Sequence, residues 1–376
     1  MMKIALIIPS LRFGLRYWRN LALALEQEGL AVIILTAVPP DTVPDDLRVV
    51  ATGGRLLGTG QHSPNYGKVI LLPSPRLAWE IWRVSPDLVM AVEYSLATFF
   101  AYLGARLSGA RFVVFQEHKS KNMFIAGKAK RQWRKFISNL ADMLIANTEA
   151  ALNEIAQLYP RAAAKTKVIP LLVPPAVSDL KKKPFTTPKP KSRPVFAYVG
   201  QLISRKNVKT LIEAAYLLDR QRLDFDIWLV GDGPEKDMLY QLVESKGLNE
   251  KVRFLGKVDY DSLGYVYEQV DALIMPTFAD YRSVVVLEAL RFGKPVVLSC
   301  EDGNAGDTIK DGVNGVIFNP RNKEELAGIM ANLISDSFKL RKLTEGAKMT
   351  TIPTPSEAAR LFRESFSVDS ENVDRA

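Results

Sequence analysis

The sequence predicts an α/β protein made of two Rossmann-like halves, each a parallel sheet with helices on both faces. Its 376 residues are enough for two domains that each bury their own core. In both halves, short apolar runs alternate with amphipathic segments of helix length, which is the pattern of parallel sheets covered by helices. A Pro- and Lys-rich segment, residues 181–194, separates the halves and has the composition of a linker.

The first half opens with an apolar strand at residues 3–9, followed by an amphipathic helix at 17–28 that ends at Gly29. The other predicted elements are strands at 31–36, 88–91, 112–115 and 143–146 and helices at 97–107 and 149–158. This alternation assigns residues 1–180 to a first domain. Ligands of such sheets bind at the carboxyl ends of the strands.

The pattern restarts after the linker with a strand at 195–199 that ends at Gly200. The elements that follow are strands at 225–230, 252–255, 272–276 and 296–299 and helices at 209–218, 236–246, 262–269, 284–292 and 323–334. They assign residues 195–350 to a second domain. Residues 351–376 hold a last helix, at 356–366, and a tail that we expect to be frayed.

The composition is that of an ordinary globular protein, with 47% hydrophobic and 24% charged residues. The single cysteine, Cys300, excludes an internal disulfide and fits a reducing compartment. No apolar run reaches the roughly 20 residues that cross a bilayer. The N-terminal apolar run lacks the small-residue cleavage site of a signal peptide. We therefore expect a cytoplasmic protein.

The net charge of +9 indicates a polyanionic partner such as nucleic acid, anionic lipid or a phosphorylated substrate. Between Lys119 and Lys135 the chain has no acidic residue, and aromatic side chains lie among the basic ones. This composition predicts a surface that rests on anionic lipid headgroups, peripherally on the inner face of the plasma membrane. A solvated basic helix and loop is the alternative. No RNA- or DNA-binding motif accompanies the segment, so we predict no nucleic-acid partner.

Two acidic residues frame a change from loop to helix in the second half. A short buried strand leads into a loop that carries Asp280, and Glu288 lies more than one turn inside the next helix. The N–H groups at a helix start are free to bind an anion. Two carboxylates beside that anion are suited to holding the hydroxyls of a nucleotide sugar. A surface helix with two solvated acids is the alternative interpretation.

Two glycine-containing turns follow strands of the second half. Gly200 lets the backbone approach a ligand closely, and Lys206, with Arg205 beside it, can neutralise a phosphate. Gly231 and Gly233 form the second turn, Gly-Asp-Gly-Pro. Each fragment alone is more typical of an ordinary connection between a strand and a helix.

Taken in order, five segments closely resemble the C-terminal half of the large retaining family of GT-B glycosyltransferases, family four. The segments are VGQLISRKNVKTLIEAA, DIWLVGDGPE, VRFLGKV, VDALIMPTFADYRSVVVLEALRFGKPVV and DGVNGVIFNP. The resemblance runs from about residue 196 to residue 334 and is looser in the first half. It implies two facing Rossmann-like domains with the active site in the cleft. The first domain would bind the acceptor, the second the donor, and the last helix would cross back to the first domain.

The resemblance also implies roles for individual residues. Lys206 matches a lysine that contacts the donor diphosphate, and Glu288 matches an acid that binds the donor ribose. Asp280 matches an acid that touches the transferred sugar, and His118 a histidine near the anomeric carbon. His118, Lys206 and Asp280 are thus the expected catalytic residues. The expected donor-binding positions are Gly14, Gly200, Gln201, Arg205, Lys206, Gly231, Arg282, Ser283, Val284 and Glu288. By itself, a histidine after a strand is more often structural.

The implied reaction moves a sugar from a nucleotide-sugar donor, UDP- or GDP-linked, to a glycan or lipid-linked acceptor with retention of configuration. Lys206 and the helix start would stabilise the leaving diphosphate, and a donor phosphate oxygen would take the acceptor proton. No cofactor and no metal ion is expected. Asp224-Phe225-Asp226 and Asp259-Tyr260-Asp261 are interpreted as turn acids, and the sequence has no His/Cys cluster for zinc.

Several departures from the family pattern leave the donor sugar open. Gln201 replaces an arginine, whose charge Arg205 or Arg282 is a candidate to supply. Asp280 replaces a glutamate and is one methylene shorter. Tyr281-Arg282-Ser283 replaces a Gly-Phe-Gly sequence, and only Gly14 remains of a Gly-Gly loop. A non-catalytic scaffold that binds sugar nucleotides, and a sugar-nucleotide epimerase, are therefore kept as alternatives.

Overall fold

The computed structural model describes residues 1–11, 14–57, 70–116, 127–184, 193–280 and 282–367. The chain divides into two compact units. Unit 1 comprises Met1–Val173 and the C-terminal segment that starts at Pro353, and unit 2 comprises Pro174–Ile352. Each unit contains its own parallel sheet packed against helices, which confirms the predicted α/β class.

The sheet of unit 1 has seven parallel strands in the spatial order β3-β2-β1-β6-β7-β8-β9. The strands of the unit are β1 (Lys3–Ile7), β2 (Ala31–Thr36), β3 (Val49–Ala51), β4 (Gly54–Leu57), β5 (Ile70–Pro73), β6 (Leu88–Val92), β7 (Arg111–Gln116), β8 (Met143–Ala146) and β9 (Thr166–Val168). β4 and β5 form a separate antiparallel pair, which the sequence analysis does not predict. β6 and β8 are buried along their whole length, as a strand covered on both faces must be.

Helices of unit 1 cover the two faces of this sheet. They are α1 (Leu15–Gln27), α2 (Arg76–Val84), α3 (Leu96–Ser108), α4 (Lys128–Leu140), α5 (Glu149–Leu158) and α6 (Pro160–Ala163). One apolar cluster includes Leu21 and Leu25 of α1. A second cluster, on the other face, includes Ile81, Ala101 and Ile137 of α2, α3 and α4. The alternation of strand side chains between two faces therefore produces two cores in one unit.

Unit 2 has six parallel strands in the spatial order β12-β11-β10-β13-β14-β15. They are β10 (Val195–Val199), β11 (Asp226–Val230), β12 (Val252–Gly256), β13 (Ala272–Met275), β14 (Val296–Ser299) and β15 (Gly315–Phe318). The α-helices are α7 (Val208–Arg220), α8 (Lys236–Ser245), α9 (Leu263–Gln269), α10 (Val284–Arg291), α11 (Lys323–Ser335) and α12 (Ser337–Lys348). Short 3₁₀ helices cover Val177–Lys181, Ser204–Lys206 and Tyr260–Ser262.

The boundary between the units differs from the sequence-based division. Residues 174–180, which that division places in the first domain, belong to unit 2. The reason is packing: Leu180 is fully buried, and its carbonyl oxygen would lie 2.7 Å from a Cβ placed on Gly264 of α9. Helix α13 (Pro355–Ser367) belongs to unit 1, where Phe362 joins the apolar cluster that contains the α1 residues.

In unit 2 the strand order reverses between the neighbours β10 and β13. The connections that leave these two strands run in opposite directions across the sheet, so a crevice opens at their carboxyl ends. Gly200 follows β10 and Pro276 follows β13. The topology therefore brings the two motif-bearing loops of the second half to one edge. Among the described helices, none combines the length and the hydrophobicity needed to cross a bilayer.

Candidate active site

Two glycine turns pack against each other at the carboxyl ends of β10 and β11. Gly200 and Gly231 have φ values of 156° and 139°. A Cβ on Gly231 would lie 1.8 Å from the carbonyl oxygen of Gly200, and one on Gly233 would lie 2.4 Å from the carbonyl oxygen of Leu202. A side chain at either position would displace the neighbouring backbone. Glycine is therefore required here for the close approach of two loops.

The loop after β10 is tied to the loop after β13. The short helix Ser204–Lys206 ends at Asn207, which has a left-handed φ of 55°. Asn207 Nδ2 donates a hydrogen bond to the carbonyl oxygen of Pro276 at 2.9 Å. Thr277 Oγ1 donates to the carbonyl oxygen of Arg205 at 3.0 Å. These bonds hold the two basic side chains of the helix against the loop that carries the first acid.

Asp280 is the shared partner of both basic residues. Lys206 Nζ donates a hydrogen bond to Asp280 Oδ2, and Arg205 Nη1 lies 3.1 Å from the same oxygen. About a tenth of each of these side chains is exposed (9–12%). Burial alone would raise the pKa of Asp280, but the charges of Lys206 and Arg205 outweigh it and hold the pKa below its usual value. The site thus contains an ionised carboxylate between two cations.

The start of α10 is fixed by polar residues from the loop after β14. Asp302 Oδ1 accepts hydrogen bonds from the backbone N–H groups of Asn304, at 2.9 Å, and Ser283, at 3.4 Å. Asn304 Nδ2 donates to the carbonyl oxygen of Ser283 at 3.1 Å. Burial and, secondly, the negative charge of Asp280 raise the pKa of Asp302. The pKa of Asp280 is therefore lowered and that of Asp302 raised, although their backbones pair across a β-bridge.

Glu288 is fully buried on α10, and two tyrosines bind it. The Tyr267 hydroxyl donates to Glu288 Oε2 at 2.7 Å, and the Tyr260 hydroxyl donates to Oε1 at 3.0 Å. Burial and the charge of Glu288 raise the pKa of Tyr267, so that hydroxyl keeps its proton. A ribose hydroxyl that reached this carboxylate would have to share it with a tyrosine. Glu288 is thus at the expected edge of the sheet, but with partners that the sequence analysis does not predict.

The remaining predicted site residues divide between the two units. Gln201 is exposed after β10, Arg282 is partly buried, and Val284 is the first residue of α10. Gly14 lies in unit 1, where it precedes α1 with a φ of 77°. His118 and the first part of the basic segment that begins at Lys119 lie outside the described residues.

Aspartates of both Asp-x-Asp sequences form ion pairs with basic side chains. Arg193 Nε lies 2.6 Å from Asp226 Oδ2, and Arg193 Nη1 lies 3.1 Å from Asp224 Oδ1. Asp259 pairs with Lys183 at 3.5 Å. Within the described ranges, no group of three or more His, Cys, Asp and Glu side chains is arranged to hold a metal ion.

Sequence reasoning missed the residues that support the predicted acids, namely Asn207, Tyr260, Tyr267, Asp302 and Asn304. The polar sequence Asp302-Gly303-Asn304 directly after a buried strand was a usable signal, because the carboxyl ends of parallel strands share one edge. The tyrosines carried no such signal. Tyr260 lies in the 3₁₀ helix Tyr260–Ser262 and Tyr267 in α9, and both reach Glu288 only through the tertiary fold.

Comparison with known proteins gives a family match for each half of the chain. The model described as Glycosyl transferases group 1 matches residues 179–350, and the one described as Glycosyltransferase Family 4 matches residues 15–177. The chain is 24% identical to glycogen synthase of Mycobacterium tuberculosis, over 89% of this chain and 85% of that protein. It is 27% identical to alpha-D-kanosaminyltransferase of Streptomyces kanamyceticus, where the match covers 41% of this chain and only 40% of the relative.

Solved structures share the fold over nearly the whole chain. HepE of Anabaena, crystallised with UDP, superposes with a TM-score of 0.75 at 20% identity, covering 98% of this chain and 100% of that one. WaaG, a glycosyltransferase involved in lipopolysaccharide biosynthesis, gives a TM-score of 0.68 at 16% identity, covering 95% and 99%. With both halves matched by family models and the fold shared with these structures, the chain belongs to the glycosyl transferases group 1 family of GT-B glycosyltransferases, enzymes that take sugars from nucleotide-sugar donors.

Proposed function

We propose that the protein is a retaining, metal-independent glycosyltransferase that moves a sugar from a UDP- or GDP-linked donor to a glycan or lipid-linked acceptor. The observation that carries this proposal is the convergence of Lys206 and Arg205 on one carboxylate at the carboxyl edge of β10. A diphosphate offers the same two cations several anionic oxygens. The UDP bound to the Anabaena structure supports a uridine nucleotide as the first donor to test.

Donor binding would exchange one anion for another. In the structure, Asp280 neutralises Lys206 and Arg205. The donor diphosphate would take over these cations, because it carries more negative charge and more acceptor oxygens than one carboxylate. Asp280 would then accept a hydrogen bond from a hydroxyl of the donor sugar. In this scheme Asp280 couples binding of the diphosphate to binding of the sugar, because it releases the two cations and then accepts the sugar hydroxyl.

Negative charge develops on the diphosphate as its bond to the anomeric carbon breaks. Lys206, Arg205 and the N-terminus of α10 are already held in place by the surrounding loops, so they stabilise that charge without reorganisation. The acceptor proton would pass to a phosphate oxygen of the leaving group. No side-chain base is then needed, and the sugar is delivered with its anomeric configuration retained.

We place the acceptor at the inner face of the cytoplasmic membrane. The support is the basic segment from Lys119 to Lys135, whose described part carries the exposed side chains of Lys128, Lys130 and Lys135. Flotation with neutral and anionic vesicles tests this placement. We expect recovery with anionic vesicles that falls when Lys128, Lys130 and Lys135 are changed to Glu. Equal recovery on both vesicle types would contradict it.

A transfer assay tests the activity itself. Wild-type protein is incubated with UDP- and GDP-sugars and an acceptor panel, and the anomeric configuration of the product is read by proton NMR. We expect a retained configuration, the same rate with and without EDTA, and loss of turnover in Glu288→Ala. Inversion, or a rate abolished by EDTA and restored by a divalent cation, would contradict the proposed mechanism.

A non-catalytic scaffold is the second candidate. It is favoured by the engagement of both Glu288 oxygens by tyrosines and by Gln201 in place of the family arginine. Sugar-nucleotide binding without turnover across the panel would support the scaffold. An epimerase is distinguished from both because it converts the donor with no acceptor present.

A further inference from the structure

Large apolar side chains are exposed on two adjacent helices of unit 1. Trp79 and Trp82 of α2 are 50% and 52% exposed, and Leu107 of α3 is 66% exposed. Leu96 and Leu103 of α3 are exposed as well. We call these five residues the apolar ridge. Single exposed apolar residues are normal on a protein surface, but a set of this size on neighbouring helices indicates a binding surface.

The ridge exists because α3 places its small residues inward. A Cβ on Gly104 would lie 2.7 Å from Ile81 Cβ, so α2 and α3 are in close contact there. The other inward residues of α3 are small and are fully or almost fully buried: Ala97, Thr98, Ala101 and Ala105. The leucines recur at helical spacing on the solvent side. A helix that buries small residues and exposes leucine has a second apolar surface, which the described residues of unit 1 leave exposed.

The charge around the ridge is strongly positive. Helices α2, α3 and α4 together carry eight basic residues and one acidic residue, a net charge of +7 against +9 for the whole chain. The one acid, Glu80, is buried and binds Arg76 at 2.9 Å and Arg83 at 2.7 Å. Arg106 is partly offset by Asp142 at 2.7 Å. Nearly all the excess charge of the protein is therefore on three neighbouring helices.

Aromatic and basic groups are held together on this face. The guanidinium carbon of Arg83 lies 5.5 Å from the ring centre of Trp79. Between α3 and α4, the ring centre of Phe99 lies 6.0 Å from that of Trp133 and 6.3 Å from that of Phe136. Phe136 is itself exposed, next to the basic residues of α4. The apolar ridge therefore continues through aromatic contacts to the basic helix.

We propose that the apolar ridge inserts into the interface of an anionic lipid bilayer. Tryptophan and leucine would enter the boundary between headgroups and acyl chains, while the surrounding Arg and Lys side chains pair with lipid phosphates. The aliphatic leucines favour a hydrocarbon phase over a glycan, which is bound mainly through aromatic faces and polar groups. The inference deepens the proposed function, which places the acceptor at a membrane, and identifies the side chains that anchor unit 1 there.

Vesicle binding of the full chain, measured without donor, tests this proposal. We compare wild type with Trp79→Ser/Trp82→Ser on phosphatidylglycerol-containing vesicles and on pure phosphatidylcholine vesicles. The double variant should partition onto anionic vesicles roughly tenfold or more weakly, because two interfacial aromatic anchors are lost. Tyr240→Ser is the matched control, since Tyr240 is an aromatic side chain of unit 2 that is 54% exposed. It should bind as wild type does, and circular dichroism verifies that each variant is folded.

Tryptophan fluorescence gives an independent measurement. Trp18 and Trp228 are buried and Trp133 is partly buried, so quenching by brominated lipids reports mainly on the more exposed Trp79 and Trp82 of α2. We expect brominated lipids in anionic vesicles to quench the emission of the wild type. At least half of this quenching should be lost in Trp79→Phe/Trp82→Phe and in Trp79→Ser/Trp82→Ser. Unchanged binding of Trp79→Ser/Trp82→Ser, or unchanged quenching in either double variant, overturns the proposal. The proposal is also overturned if a soluble oligosaccharide or a protein binds to the apolar ridge and brominated lipid leaves the tryptophan emission unaltered.

These outcomes are separable from those of the transfer assay. A protein that transfers sugar to a water-soluble acceptor but ignores vesicles overturns the membrane inference alone. A protein that binds vesicles through the ridge but transfers no sugar overturns the proposed activity alone.

Discussion

Lys206 and Asp280 form a largely buried ion pair that joins the loop after β10 to the loop after β13. The same carboxylate oxygen of Asp280 also lies 3.1 Å from Arg205. Sequence places Lys206 and Asp280 on different elements, and the reversal of strand order between β10 and β13 brings them together. The pair therefore marks where we expect a diphosphate to bind.

Replacement of Lys206 should remove most of the turnover. In Lys206→Ala, one of the two preorganised cations that face the leaving diphosphate is lost, so kcat should fall by about 10²- to 10³-fold. Steady-state rates of transfer or of donor hydrolysis measure this. Lys209→Ala is the control, because Lys209 is an exposed lysine on the first turn of α7. Equal rates in the two variants would contradict a role for Lys206 in the chemistry.

Asp280→Asn should destabilise the protein at neutral pH. The charge change leaves Lys206 and Arg205 without their anion, at a cost of about 1–3 kcal/mol in the free energy of unfolding. The pKa of folded Asp280 lies below the ordinary value of 3.8, so its contribution is present above that value and is lost as the pH falls through the folded pKa. The difference in melting temperature between wild type and variant should therefore shrink below about pH 4. A difference that is constant with pH would show that the ion pair does not stabilise the fold.

Asp302→Asn, unlike Asp280→Asn, should not lower the free energy of unfolding at neutral pH. Burial raises the pKa of Asp302 in the folded protein, so its ionised form is the less stable one and the acid form is favoured as the pH falls. The asparagine keeps an acceptor oxygen for the N–H groups of Ser283 and Asn304 and removes the charge. We expect a free energy of unfolding at pH 7 that is equal to or higher than that of the wild type. A loss as large as that of Asp280→Asn would contradict the charge assignment of the two carboxyls.

The two tyrosines that donate to Glu288 should have different roles: Tyr260 should affect donor binding, and Tyr267 should affect stability. Tyr260 is partly buried and Tyr267 is fully buried. Tyr267→Phe should lower the free energy of unfolding by about 1–3 kcal/mol, since a buried carboxylate oxygen loses its donor. Tyr260→Phe should change the KM for the donor with little change in stability. Thermal denaturation and donor saturation curves measure both, and an unchanged KM together with a large stability loss for Tyr260→Phe would contradict this division.

Gly231→Ala should prevent the site from forming. The added Cβ would lie 1.8 Å from the carbonyl oxygen of Gly200, and the residue has a φ of 139°. We expect a loss of at least about 3 kcal/mol, from steric overlap and backbone strain together. Gly328→Ala is the control, because a Cβ there has nothing within 4 Å in the exposed part of α11, and it should raise stability by up to about 1 kcal/mol. Chemical denaturation compares the two, and similar midpoints would contradict the packing argument.

Local sequence patterns predicted the strands that are buried along their whole length. The apolar run Ile227–Val230 of β11 is typical of a strand in a sheet covered on both faces, and its neighbour Gly231 marks where the strand ends. The positions of Asp280 and Glu288 followed from one strand, one loop and one helix that are contiguous in the chain. These parts of the fold and of the site depend on short-range information only.

Contacts between distant segments were not predictable in the same way. Tyr260, from the 3₁₀ helix Tyr260–Ser262, and Tyr267, from α9, reach Glu288 across the fold, and nothing in the sequence around Glu288 indicates a tyrosine partner. Helix α2 was missed because it is only nine residues long and two of its largest apolar side chains, Trp79 and Trp82, face solvent instead of a core. Side chains that serve a surface rather than the core give no periodic signal of burial.

Donor binding through Lys206 is tested by calorimetric titration of the wild type, Lys206→Ala and Lys209→Ala with UDP- and GDP-sugars. If unit 2 binds the donor diphosphate through Lys206, at least one donor will give a saturable heat with wild type and Lys209→Ala, and its affinity for Lys206→Ala will fall by about tenfold or more. No heat with any donor, or the same affinity in all three proteins, would contradict the account.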